Sequence, residues 1–285
     1  MKPALYWEKE ADKIRCRLCP HCCLIREGNS GRCRERKNIE GILYTLNYGV
    51  ITSIGFDPIE KKPLYHFMPG TTILSYGSRG CNLSCSFCQN YRISLEPNPP
   101  SIIMSPEEAV QKVIDENLNA IAFTYNEPTV WYEFMLDTAR MAKKHQISTV
   151  CVTNGFINPE PLEELLECMD AFNIDLKSFS DLFYRKICGG ELGPVLDSIK
   201  IIHGKAHLEI TTLVVENEND DLNELESLFQ WIGSIDAGIV LHLSRYFPSY
   251  KMNNPATNVE TLIKAKELAG KYLKNVYIGN VPGIR

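Results

Sequence analysis

Residues 71–90 read TTILSYGSRGCNLSCSFCQN. The first eight, TTILSYGS, are mostly β-branched, apolar or aromatic and close on a glycine and a serine, which is the composition of a strand and its end. The rest form a loop that places Cys81, Cys85 and Cys88 within eight positions. A strand that delivers three thiols to a loop suits metal binding, but it stops one thiolate short of a four-cysteine site.

Outward from this stretch the chain keeps one rhythm. SPEEAVQKVIDENL predicts a helix, with Ser105 as N-cap, Pro106 in the first turn and Glu108 completing a capping box. AIAFTY, STVCVTN, FNIDLK, LEITTLVV, IVLHLSR and VYIGN read as strands. Between them TVWYEFMLDTARMAKKHQ, PEPLEELLECM, LNELESLFQWI and VETLIKAKELAGKYL read as helices, with further helical segments up to about Lys205. Strands this apolar, separated by helices, predict an α/β fold with a parallel sheet covered by helices, about six strand-helix units and a final short strand. A doubly wound sheet and a barrel-like sheet both satisfy the pattern. In either, ligands belong at the carboxyl ends of the strands. The polar strand ends SRGC, TYNEP, VTNG, DLKS, VENEND and LSRYFP are therefore expected to converge on one rim.

Residues 1–70 do not share this rhythm and are expected to form a small cysteine-rich lobe with short β elements, leaving 71–285 as the larger unit. The lobe holds CRLCPHCCLIREGNSGRC and then YTLNYGVITSIGFDP, a hairpin-like or meander-like run. Cys16, Cys19, Cys23 and Cys33 are the favoured set for a second metal site, zinc or iron, with Cys22 as the spare and His21 as a surface residue. The segment DPIEKKPLYHFMPG, with Lys62 and His66, is a candidate wall of the active site.

Bulk properties narrow the function. The chain has 285 residues, 44% of them hydrophobic, and 30 Lys+Arg against 35 Asp+Glu leave a net charge of −5 without a basic run, so nucleic acid is not indicated. MKPALYWEKEADK lacks the apolar core of a secretion signal, and no run of about 18 apolar residues occurs, so the expectation is a cytoplasmic protein with no membrane partner. Eleven cysteines in such a chain indicate metal or redox chemistry over a disulfide framework. Cys151, Cys168 and Cys188 lie outside the two clusters and read as buried fillers.

The three-cysteine loop on its own leaves two readings open: zinc with a distant fourth ligand, or an iron-sulfur cluster with one iron open to a cofactor. C-x3-C-x-Phe87-C resembles the signature of the radical S-adenosylmethionine (radical SAM) enzymes. Glu127-Pro128 match that family's Gly-Gly-Glu-Pro, with Tyr125 and Asn126 in place of the glycines. Thr153-Asn154-Gly155 and Asp175-Leu176-Lys177 resemble motifs of the glycyl-radical-enzyme activases. Within the superfamily, CRLCPHCC, DPIEKKPLYHFMPG, GCNLSCSFCQN and TYNEPT are most similar to the radical SAM proteins of the AmmeMemoRadiSam system.

The resemblance implies a partial (β/α)6 TIM-like barrel, a [4Fe-4S] cluster on Cys81, Cys85 and Cys88, and S-adenosylmethionine (SAM) on the open iron. It implies cofactor contacts from Phe87, Gln89, Tyr125, Asn126, Glu127, Thr153, Asn154, Asp175, Leu176 and Lys177. The implied reaction is reductive cleavage of SAM to a 5′-deoxyadenosyl radical that takes hydrogen from a small molecule or protein. A reductant such as flavodoxin or ferredoxin would supply the electron. Activation of a glycyl-radical enzyme, as by the pyruvate formate-lyase activating enzyme, is the alternative, and a non-enzymatic metal-binding interaction protein is the second.

Overall fold

The computed structural model describes residues 1–283, so the last two positions of the expected 71–285 unit lie outside the described residues. Its main feature is one eight-stranded sheet. In chain order the strands are β1 (Ser53–Pro58), β2 (Thr72–Gly77), β3 (Ala120–Phe123), β4 (Ser148–Thr153), β5 (Ala171–Asp175), β6 (His207–Val214), β7 (Val240–Arg245) and β8 (Asn275–Gly279). They lie side by side in that order, with β1 and β8 at the two edges. β2 to β8 are parallel neighbours, as the apolar runs separated by helices require. The crossovers carry α1 (Pro106–Asp115), α2 (Tyr132–Lys144), α3 (Pro159–Leu166), α4 (Leu192–Ile202), α5 (Leu222–Ile235) and α6 (Val259–Ala269). Six strand-helix units and a closing strand result.

The capping box before α1 is present, with Ser105 accepting from the Glu108 amide and the Glu108 carboxylate accepting from the Ser105 amide. A helix was expected from about residue 129. The Pro128–Trp131 stretch is a 3-10 turn and the α-helix starts at Tyr132, the Glu127 carboxylate accepting from the Thr129 amide at 2.9 Å.

Strand alternation separates two apolar layers. Ile121, Phe123 and Leu74 face the helices, while Ala120, Ala122, Ile73, Val150 and Ala171 face the sheet's inner side. Their small inner side chains leave room for Ile59 and Leu64, both fully buried there. Each such burial is worth about 1.5–3 kcal/mol. Glu209, near the start of β6, accepts from the amides of Tyr65 and His66 at 3.0 and 2.8 Å, and Asn173 donates to the Pro63 carbonyl at 2.8 Å. The 57–70 segment therefore stoppers the barrel at the amino ends of its strands. This corrects the expectation that it walls the active site: apolar Ile59 and Leu64 carry it inside, Lys62 is 3% exposed, and His66 pairs with the Tyr277 hydroxyl.

The N-terminal residues form small antiparallel sheets: Lys2–Pro3 with Ile42–Thr45 and Arg36–Ile39, and Trp7–Glu10 with Lys13–Cys16 and Leu24–Arg26. The expected meander divides, because Ser53–Pro58 pairs antiparallel with β2 and joins the main sheet. The buried Arg36–Glu133 ion pair ties the N-terminal strands to α2. Among the described residues no helix is long and apolar enough to cross a membrane.

Candidate active site

A cavity of about 230 Å³ opens at the carboxyl ends of the parallel strands. Cys81, Cys85 and Cys88 line it, brought there because β2 ends at Gly77 and the loop turns back over the strand ends. Burial pushes the Cys81 and Cys88 thiols up, Cys88 to about 11. Thiols held protonated on one wall become good ligands only when metal charge replaces the proton, which fits a cluster in this place. Cys85 is drawn down, chiefly by a hydrogen bond with the Cys188 thiol and further by Lys177.

Cys188 is fully buried in the core, as its isolated position in the chain implied. It ends a π-helical turn, Tyr184–Cys188, whose Cys188 and Ile187 carbonyls accept from the Ser84 and Ser86 amides at 2.8 and 3.0 Å. Nothing in the spacing of cysteines marks that contact. Thr211, Leu213, Ser244 and Asn280 also line the cavity; the polar strand end LSRYFP was the signal for Ser244, whose hydroxyl accepts from Asn280 Nδ2 at 2.9 Å.

Of the expected cofactor contacts, Phe87, Gln89, Tyr125, Asn126, Glu127, Asn154, Asp175 and Lys177 line this cavity. Thr153 and Leu176 do not: Thr153 reaches the site only through its hydroxyl, which donates to Glu127 at 2.6 Å, and Leu176 is fully buried in the core. Glu127 also accepts from the Asn154 amide at 2.8 Å, so it straps β3 to β4. Burial raises its carboxyl, and these hydrogen bonds offset that only in part. A buried carboxyl of this kind, with lone pairs to spare, fits a cationic amino group. Asn126 accepts from the Ser78 amide at 2.9 Å and donates to the Gly80 carbonyl at 3.1 Å, fixing the start of the cysteine loop. Lys177 lies 3.0 Å from Asp175 and over the Phe87 ring. Burial favours loss of its proton, but Asp175 together with Cys85, Cys188 and Tyr184 outweighs that and holds its pKa well above the ordinary value.

A second, smaller cavity is lined by Cys16, Cys19, Cys23 and Cys33 together. Cys22 is absent from it and turns its thiol toward the Cys19 carbonyl. The Arg32 amide donates to the Cys23 sulfur at 3.4 Å and the Arg36 guanidinium to the Cys16 sulfur at 3.5 Å. His21 is half-buried, its Nε2 2.7 Å from the Asn82 carbonyl, and not on the surface as expected. Among the described residues no three Cys, His, Asp or Glu side chains are grouped so as to hold a single metal ion; the thiols of both sets stand around cavities.

Residues 75–232 match the radical SAM superfamily. Over 99% of its length the chain is 44% identical to the uncharacterized protein MJ0808 of Methanocaldococcus jannaschii, covering 86% of that protein. It is 27% identical to the pyruvate formate-lyase 1-activating enzyme of Escherichia coli K12, over 54% of this chain and 65% of the relative. In fold it is similar to Streptococcus suis SuiB bound to S-adenosylmethionine, with a TM-score of 0.60 at 13% identity, covering 74% of this chain and 50% of SuiB. The chain belongs to the radical SAM superfamily and is an activase-like enzyme of it, a family whose members bind a [4Fe-4S] cluster and SAM.

Proposed function

We propose that Cys81, Cys85 and Cys88 hold the [4Fe-4S] cluster and that the cavity beside them binds SAM, with a hydrogen-bearing substrate approaching over the rim. When bound, these groups supply one-electron cleavage of SAM to a 5′-deoxyadenosyl radical that abstracts hydrogen. The protein's part is to bind, orient and exclude water. Glu127 and Asn126 would hold the methionyl amino group, Asn154 and the Asp175–Lys177 pair the carboxylate and ribose, and Phe87 and Gln89 the adenine side; all of them line the cavity. The observation that carries the reading is the presence of three thiols, a buried carboxyl and the Asp175–Lys177 ion pair on the wall of one cavity. The electron comes from a flavodoxin-like or ferredoxin-like protein.

Cys16, Cys19, Cys23 and Cys33 hold a second centre, zinc or iron-sulfur, a reading supported by their common cavity and the exclusion of Cys22; the thiols stand apart around that cavity and would have to draw together to bind a single zinc ion. Metal and sulfide analysis of an anaerobically purified Cys81/Cys85/Cys88 triple alanine variant tests it. Retained zinc, or retained iron with sulfide, is expected; a metal-free variant that stays folded removes the second centre.

Activation of a glycyl-radical enzyme is the second reading, favoured by the likeness to the Escherichia coli activating enzyme. A glycyl radical seen by electron paramagnetic resonance (EPR) on a candidate partner after turnover would select it. Deuterium passing from a labelled small molecule into 5′-deoxyadenosine would select the other substrate class.

A further inference from the structure

Tyr125 stands where the family motif has glycine, and its backbone takes φ 72°, the left-handed region that residues with a Cβ avoid. The surroundings are shaped for its ring. A Cβ added at Gly55 would lie 2.3 Å from the Tyr125 hydroxyl, and one at Gly77 would lie 2.9 Å from its Cδ2. Both glycines leave open a slot that the phenol fills. At the end of the slot the hydroxyl donates to Asp57 Oδ2 at 2.9 Å, and the Lys62 ammonium donates to the same oxygen at 2.8 Å. That ammonium also lies 4.6 Å from the Tyr125 ring centroid. On the other side the Tyr125 carbonyl accepts from Asn90 Nδ2 at 2.7 Å, just beyond the cysteine loop.

We infer that Tyr125 is a positioning residue for SAM, latched from inside the barrel by Asp57 and Lys62. The inference rests on the reading of Asn126 and Glu127 as cofactor contacts. Held at its side chain and at its carbonyl, Tyr125 keeps an unfavoured backbone conformation that sets the direction of the next two residues. Asn126 then reaches the Ser78 amide and Glu127 the ends of β3 and β4. Without the latch the backbone relaxes toward ordinary φ, and both side chains lose their aim into the cavity.

The test uses the anaerobically reconstituted full chain as wild type, Tyr125→Phe, Asp57→Asn and the double variant. SAM affinity is measured by calorimetry, alongside iron content and melting temperature. Each single variant is expected to bind SAM about tenfold more weakly at unchanged iron content, the size of one lost charge-assisted hydrogen bond. The double variant is expected to be no weaker than the singles, because both changes cut one latch. If Asp57→Asn loses its iron, Tyr125→Phe, which deletes a single oxygen, decides. SAM affinities within about twofold of wild type, whatever the melting temperatures, overturn the inference and leave Tyr125 a purely structural residue. Failure of the iron-loaded wild type itself to bind SAM overturns the site reading along with it.

Discussion

Gly80 lies against the backbone of Cys33: a Cβ at Gly80 would sit 3.2 Å from the Cys33 carbonyl oxygen and 2.6 Å from Glu35 Cγ. The two cysteine-bearing loops therefore share a wall. Arg79 pairs with Glu35 at 3.1 Å across it, and His21 meets the Asn82 carbonyl beside Cys81.

Gly80 also has φ 86°, so Gly80→Ala combines backbone strain with a clash against Glu35 Cγ and a tight approach to the Cys33 carbonyl. The expected loss is about 2–4 kcal/mol. Gly70→Ala is the control, with φ 80° but nothing within 4 Å, and should lose only about 1–2 kcal/mol. Denaturant unfolding of the two variants measures the difference, and equal losses would show that the contact between the loops carries no weight.

Arg36 and Glu133 are each 1% exposed and paired. Glu133 Oε1 also accepts from the Leu5 amide at 2.8 Å, and Arg36 donates to the Leu5 carbonyl at 2.8 Å. Glu133→Ala leaves a buried guanidinium without its counter-charge, with an expected cost of about 3–5 kcal/mol. Arg36→Met combined with Glu133→Leu should recover most of that by double-mutant analysis, since an apolar pair has no uncompensated charge.

Glu209 sets the expected acid behaviour. Burial alone would raise its carboxyl, but hydrogen bonds from His207, His242 and the amides of Tyr65 and His66 outweigh it and hold the pKa at about 2. A carboxyl depressed below its ordinary value stabilises the fold above that ordinary value, and the contribution is lost as pH falls from about 5 toward 2. The loss is on the order of 2 kcal/mol. Glu209→Gln should be less stable at pH 7 and show a flatter acid limb in melting temperature; an unchanged limb would contradict the assignment.

The strand-helix rhythm and the rim of strand ends were legible because parallel strands are apolar on both faces and their polar residues collect where they end. Ser105, Pro106 and Glu108 marked the start of α1 by purely local chemistry. Pairing between distant segments left no such mark. Ser53–Pro58 reads as a hairpin strand, yet its partner is β2, and DPIEKKPLYHFMPG looks like a charged surface turn because Lys62 is neutralised by Asp57 only in three dimensions. The Cys188 carbonyl meets the Ser84 amide of the cysteine loop through a π-helical turn that leaves no periodic trace. Tyr125 reads as a departure from a glycine motif, and the slot left by Gly55 and Gly77 that holds its ring is formed only in three dimensions.

In the proposed function the Cys81–Cys88 loop and the adjoining cavity support cleavage of SAM. The direct measurement is 5′-deoxyadenosine formed by the anaerobically reconstituted, reduced protein given SAM, with Cys85→Ala in parallel. 5′-Deoxyadenosine is expected from the wild type and none above background from Cys85→Ala. A cluster-loaded wild type that forms none, or a Cys85→Ala variant that forms as much as the wild type, would contradict it.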